Sequence, residues 1–218
     1  MYSVLMHYIE LRESLAKFFS VDDIQKILKI NKPSAKVLSS RYIRQGLFLR
    51  ITQNLYVWKT DLSGLSTYEK CQIAGKIKVN SYVSFYGALY YHNVYRFKPD
   101  AIQSVNFIKS YERKIENTQW NHFKFPKKYY FGFEKTSAGF LVAEPEKAIV
   151  DIIYLNSIGR HFDSMKMINI EHLSQEKMLK YIEIFPKRAQ KLMKIFLKYT
   201  RKKGHVWLKD SDYDENDC

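Results

Sequence analysis

The chain has 218 residues, enough for a small module and a medium one, and its 46% hydrophobic content excludes a disordered chain. Its net charge is +14, and the five acids among the last nine residues (Asp210, Asp212, Asp214, Glu215, Asp217) leave +19 on the rest, a surplus that suits a polyanionic partner. No apolar run approaches the ~20 residues of a membrane span, Glu10, Arg12 and Glu13 interrupt the stretch where a secretory signal would be apolar, and two cysteines support neither a disulfide framework nor a zinc site. A cytoplasmic protein with no membrane association is expected.

From residue 4 to 19, Val4, Leu5, Tyr8, Leu11, Leu15, Phe18 and Phe19 recur at three-and-four spacing and predict one helix with a buried face. Ser20, with Asp23 three residues later, predicts the cap of a short second helix through Val21, Ile24, Ile27 and Leu28, interrupted at Asn31 and Lys32. Pro33 suits the first position of a third helix, where its missing amide proton has no partner to lose, and Gly46 ends that helix. At about 100° per residue, Ala35, Leu38 and Tyr42 gather on one side, and Lys36, Val37, Ser40, Arg41 and Arg44 on the other. Leu47 to Ile51 and Leu55 to Trp58 are β-prone runs joined through Thr52, Gln53 and Asn54, a hairpin whose Asn54 is expected in the left-handed conformation.

Three helices and a hairpin in this order predict a winged helix-turn-helix DNA-binding domain over residues 1–62. Its basic third helix would enter the major groove, where side-chain donors and methyl groups meet base edges while flanking cations hold phosphates. The candidate contacts are Lys32, Ser34, Lys36, Val37, Ser40, Arg41 and Arg44 on the helix, with Arg50, Gln53 and Asn54 on the wing. Arg41 and Arg44 suit guanine edges or phosphates, Val37 a thymine methyl, and the wing residues the backbone or minor groove. Residues 1–60 hold ten Lys or Arg against four Asp or Glu, the sign that such a role requires.

Residues 63–209 predict a mixed α/β domain with a small sheet and several helices, making the whole chain α+β. Ser66 and Glu69 form a capping box for a helix, and Ser84 caps another that runs to about His92 and ends at Asn93. Ser104 to Ile108, His122 to Phe125, Tyr129 to Phe133 and Gly139 to Val142 read as strands. Pro145 starts a helix through Ile149, Ile152 and Ile153, and two more follow at about Ser174 to Phe185 and Pro186 to Arg201. In the last, Lys187, Lys191, Lys194, Lys198 and Arg201 recur opposite Ala189, Leu192, Met193, Phe196 and Leu197, a secondary basic ridge for DNA phosphates, an acidic partner or solvent. Residues 210–218 read as an acidic disordered tail.

Three stretches, Lys36 to Trp58 (KVLSSRYIRQGLFLRITQNLYVW), Tyr82 to Val94 and Ala143 to Leu155 (AEPEKAIVDIIYL), resemble the AbiEi family of antitoxin-type transcriptional regulators. Asn54 and Asn93 stand where that family usually has glycine. The resemblance implies a repressor of its own operon that binds its own promoter as double-stranded DNA. It also implies neutralisation of a cognate toxin, commonly a nucleotidyltransferase, within type IV toxin–antitoxin systems of phage defence. The chain lacks the Gly-Ser and paired-Asp signature of such a toxin, so it would be the antitoxin half, not an enzyme and without a cofactor.

Other readings carry less. Pro99, Asp100, Glu112 and Lys114 spell a PD…ExK pattern, the basis of an alternative metal-dependent nuclease, though solvated loop charges explain them as well. A solitary transcription factor without a toxin is a further alternative. His92 has no ligand partner at metal spacing, so no metal site is expected. Glu146, Lys147 and Asp151 read as structural charges on a helix rather than catalytic ones.

Overall fold

The computed structural model describes residues 2–160, 168–171 and 173–203 and, within them, all side chains but those of 2–5, 199 and 201–203. The chain is a mixed α+β structure in which two sheets alternate with helices. Up to Trp58 the order is α1 (Tyr2–Ser14), β1 (Phe18–Ser20), α2 (Val21–Leu28), α3 (Lys32–Arg44), β2 (Phe48–Thr52) and β3 (Leu55–Trp58).

The expected first helix over 4–19 is two elements. Helix α1 stops at Ser14, and Phe18 to Ser20 pair antiparallel with Leu55 to Val57, giving a three-stranded sheet of order β1-β3-β2. Adjacent phenylalanines satisfy helical spacing, but in a strand they point to opposite faces, and each finds a different core: Phe19 the smaller, Phe18 the larger. Tertiary pairing thus overrides the local pattern. Ser20 then caps α2 as expected, with its hydroxyl accepting from the Asp23 amide and the Asp23 carboxylate accepting from the Ser20 amide.

The small sheet is sealed on both sides. Tyr56 and Trp58 of β3 face a cluster with Leu11, Phe19, Leu38, Tyr42 and Phe48, where Phe48 meets Trp58 edge-on at 4.8 Å. Leu55 and Val57, on the other face of the same strand, join Ile51 in the larger core. Each side chain so buried contributes roughly 1.5–3 kcal/mol. Arg12 of α1 clasps Asp61 through two 2.8 Å hydrogen bonds and lies over the Trp58 ring, pinning the first helix to the segment that leaves the sheet.

The rest of the chain comprises α4 (Thr67–Ile77), β4 (Tyr82–Val83), α5 (Phe85–Tyr91), β5 (Ala101–Asn106), β6 (Tyr111–Ile115), β7 (Thr118–Lys124), β8 (Phe133–Lys135), β9 (Leu141–Ala143), α6 (Pro145–Ser157), α7 (Gln175–Ile182) and α8 (Lys187–Lys203). The strands form one sheet of order β6-β7-β5-β4-β9-β8, larger than the small sheet expected. The β5–β7 and β4–β9 pairs are parallel and the others antiparallel.

Three expectations are corrected here. Glu112 and Lys114 lie not in a loop but on β6, an edge strand on which these two side chains are exposed while Ile115 is buried. Tyr129 to Phe133 is mostly not a strand: Lys127–Tyr129 is a 3-10 turn, and only Phe133 enters β8. Its aromatics fill the core instead, Tyr129 stacking on Phe185 at 4.0 Å. Ser84 precedes α5 as expected but makes no side-chain cap bond, because its hydroxyl is committed elsewhere. Asn93 does take the left-handed backbone, with φ 59°. No helix among the described residues is long and apolar enough to cross a membrane.

Candidate nucleic-acid interface

Helix α3 is fixed at both ends. The Asn31 side chain accepts from the Ser34 amide at 2.9 Å, so the helix begins at Lys32, one residue before Pro33. At the other end Gly46 takes a φ of 71°, its amide donates to Ile43 and that of Leu47 to Tyr42, satisfying the last carbonyls. Ala35, Leu38, Ser39 and Tyr42 are buried, and the Ser39 hydroxyl turns back to the Ala35 carbonyl at 2.8 Å. Ser34, Lys36, Val37, Ser40, Arg41 and Arg44 are exposed, Val37 at 60%, leaving an isopropyl group among polar ones in water. A groove of about 390 Å³ runs beside them, lined by His7, Ile30, Pro33, Ser34, Val37, Leu38 and Arg41.

The β2–β3 hairpin lies against the start of α2. Arg50 is exposed, with its guanidinium 5.9 Å over the Tyr56 ring, and Gln53 is exposed at the tip, its carbonyl accepting from the Tyr56 hydroxyl. Asn54 departs from expectation, since neither it nor Gln53 has a positive φ. A register irregularity between Arg50 and Thr52 reshapes the strand instead. The Asn54 side chain accepts from the Val21 amide at 3.3 Å and donates to Asp22 at 3.4 Å. Lys32 reaches the same carboxylate at 2.7 Å. Hydrogen bonds from Lys32 and then Asn54 hold the Asp22 carboxyl below its usual range. Asp22 therefore links the start of α3 to the hairpin tip, and Lys32 and Asn54 serve that link, although all ten candidate residues are exposed.

Lys187, Lys191, Lys194 and Lys198 of α8 are exposed, opposite Ala189, Met193, Phe196 and Leu197, which are buried, and Leu192, half-buried. The Arg201 side chain and the acidic tail over 210–218 lie outside the described residues. Asp100 precedes β5, and Glu112 on β6 accepts from the Gln119 amide at 2.7 Å. Among the described residues no three His, Cys, Asp or Glu side chains gather as a metal-binding group. Cys71 is buried, its thiol pushed up to about 12, which leaves it protonated at neutral pH.

Lys147 and Asp151, read from the sequence as structural charges, are such, but sequence reasoning missed the polar constellation they form with Tyr82 and Ser84. In α6 almost every residue is buried, Lys147 and Asp151 completely. Lys147 Nζ contacts the Asp151 carboxylate one turn on and donates to the Tyr82 hydroxyl at 2.9 Å, and Tyr82 and the Ser84 hydroxyl donate to Asp151 at 3.0 and 2.7 Å. Phe131, Tyr82 and Phe185 lie 5.1 to 5.6 Å from the ammonium. Burial pulls Lys147 down and Asp151 up, each opposed by the other's charge. Gly132 belongs to this site: a Cβ there would stand 3.0 Å from the Lys147 stem. The legible signal was an apolar run with no polar stripe, which leaves its charges no route to water. A second orphan set lies on the sheet, where Ser104 and His122 are cross-strand partners, both buried, and neither the hydroxyl nor either ring nitrogen has a partner. Burial, aided by Lys78, lowers the His122 pKa to about 4.

No known family and no curated protein matches the sequence.

Proposed function

We propose that the chain is a transcriptional regulator that binds double-stranded DNA through a winged helix-turn-helix spanning residues 1–62. The observation that carries this reading is the division of α3: its inner face is spent on the core, while its outer face offers Lys36, Arg41, Arg44, Ser34, Ser40 and Val37 together. That mixture of cations, hydroxyls and one methyl-bearing side chain suits a groove, where phosphates need charge and bases need donors and apolar contact. The shared Asp22 link supports a hairpin held in fixed relation to the helix, as a wing must be.

The antitoxin role rests on the family resemblance of three sequence stretches and makes the protein a cytoplasmic, non-enzymatic, cofactor-free partner of a toxin. The first experiment is a gel shift on DNA upstream of the gene. Arg41→Ala and Arg44→Ala are each expected to weaken binding by roughly 1 to 3 kcal/mol where the residue reads a base. Undiminished binding by both variants moves the interface off α3. Co-expression with the adjacent open reading frame tests the antitoxin role, which failure to relieve a toxic neighbour removes. Magnesium-dependent DNA cleavage lost in Asp100→Ala would replace the non-enzymatic reading.

A further inference from the structure

A second site lies away from α3, where α5 and the segment after it meet strands of the large sheet. Residues 92–100, between α5 and β5, arch beside strands β5 and β7 and enclose a cleft of about 410 Å³. Its walls divide by chemistry. Tyr86 and Tyr95 pack ring against ring at 4.8 Å and line it together with Phe123. Gln103 and Asn121, cross-strand partners on β5 and β7, supply amides at its floor, and Lys98 and Arg160, both exposed, supply cations at its rim. Among the described residues the one carboxylate in the lining is Asp100.

The amides show what is missing. Asn121 Oδ1 is occupied by the Gln119 amide at 3.1 Å, but Gln103 Oε1 is buried with no hydrogen-bond partner. A buried acceptor left unpaired is destabilising, so its natural complement is a donor brought by a ligand. That ligand must fit beside aromatic walls, hence be planar, offer an N–H to Gln103 and Asp100, and carry negative charge for Lys98 and Arg160.

We infer that this cleft binds a nucleoside phosphate, with the base against Tyr95 and donating to Gln103, and the phosphate at the Lys98 and Arg160 rim. A base supplies the flat face and the amino or imino donors, and the phosphate supplies the charge. Neither part alone uses both ends of the cleft. The site shares no residue with the α3 face and does not depend on the proposed function.

Isothermal titration of the full chain with AMP, GMP, CMP and UMP, against adenosine, guanosine, cytidine, uridine, ribose 5-phosphate and inorganic phosphate, tests it. At least one nucleotide is expected to bind saturably, at least about tenfold more tightly than its nucleoside and than ribose 5-phosphate. Gln103→Leu and Arg160→Ala are each expected to weaken that binding about tenfold with the fold intact by circular dichroism, whereas Arg41→Ala on α3 leaves it unchanged. Three results would overturn the inference: no saturable binding at millimolar nucleotide, ribose 5-phosphate binding as tightly as the nucleotides, or loss of binding in Arg41→Ala but not in the two cleft variants. Should a cleft variant fail to fold, amide chemical shifts of the unaltered protein on titration decide the matter. Shifts on β5 and β7 are expected, and shifts confined to α3 contradict the site.

Discussion

Helices α3 and α6 are each 13 residues long, each carries a proline in its first two positions, and each holds lysine among short polar side chains. Their surroundings are opposite. In α3 the cations Lys36, Arg41 and Arg44 stand on the exposed side in water, so their charges cost little to hold. In α6 the charges have no stripe of their own, so Lys147 and Asp151 are dry and must satisfy each other, with Tyr82 and Ser84 completing the set. A helix that exposes its cations leaves them in water, and one that buries them has used them on itself.

This contrast is open to test, first where it is steepest. Removing one member of the dry pair, as in Lys147→Met or Asp151→Leu, leaves an uncompensated buried group and is expected to cost about 3 to 5 kcal/mol in urea denaturation. The double variant is expected to recover most of that loss, and a double variant no more stable than the singles would show that the pair contributes more than mutual neutralisation. Next in size is the pH response of His122. An unfolded histidine takes its proton near 6.5, whereas folded His122 resists it down to about 4. The folded state therefore binds fewer protons in this window, and stability falls as pH drops through it, by about 3 kcal/mol in full. Denaturation at pH 7, 5.5 and 4.5 should show this slope in the native protein and a shallower one in His122→Gln.

On the exposed helix the same logic predicts the reverse pattern. Arg41→Ala and Arg44→Ala should leave unfolding free energy within about 0.5 kcal/mol of the native value while weakening DNA binding. A comparable loss of stability would mean that α3 spends its cations internally as α6 does. Smallest is the capping box of α2: Ser20→Ala is expected to cost roughly 1 kcal/mol, read from the urea midpoint.

Where the chain's own periodicity decides the structure, the sequence was readable. The two faces of α3, its Gly46 terminus, the capping boxes at Ser20 and Ser66 and the start of α6 at Pro145 are all local signals, and each appears where expected. Elements decided by distant partners were not readable. Phe18 and Phe19 join a strand because Val57 and Tyr56 lie beside them, and β6 is a strand although its central residues are Glu112, Arg113 and Lys114, because β7 pairs along its length. The candidate contact residues of α3 followed from helical geometry and those of the hairpin from its turn residues, but the diversion of Lys32 and Asn54 to Asp22 depends on three segments meeting. The Tyr82–Ser84–Lys147–Asp151 set joins residues up to 69 positions apart, beyond the reach of any local pattern.

Strand β3 has no outer surface: Tyr56 and Trp58 face one core, Leu55 and Val57 the other, and the Arg113 guanidinium reaches from β6 to the Arg50 carbonyl on the neighbouring strand. A fragment cut at residue 62 would expose Ile51, Leu55 and Val57 as a greasy flank and forfeit that tether. The amino-terminal third is thus no portable cassette, and grafting it onto another protein should yield an aggregation-prone product unless the grafted segment carries a substitute cover for that flank.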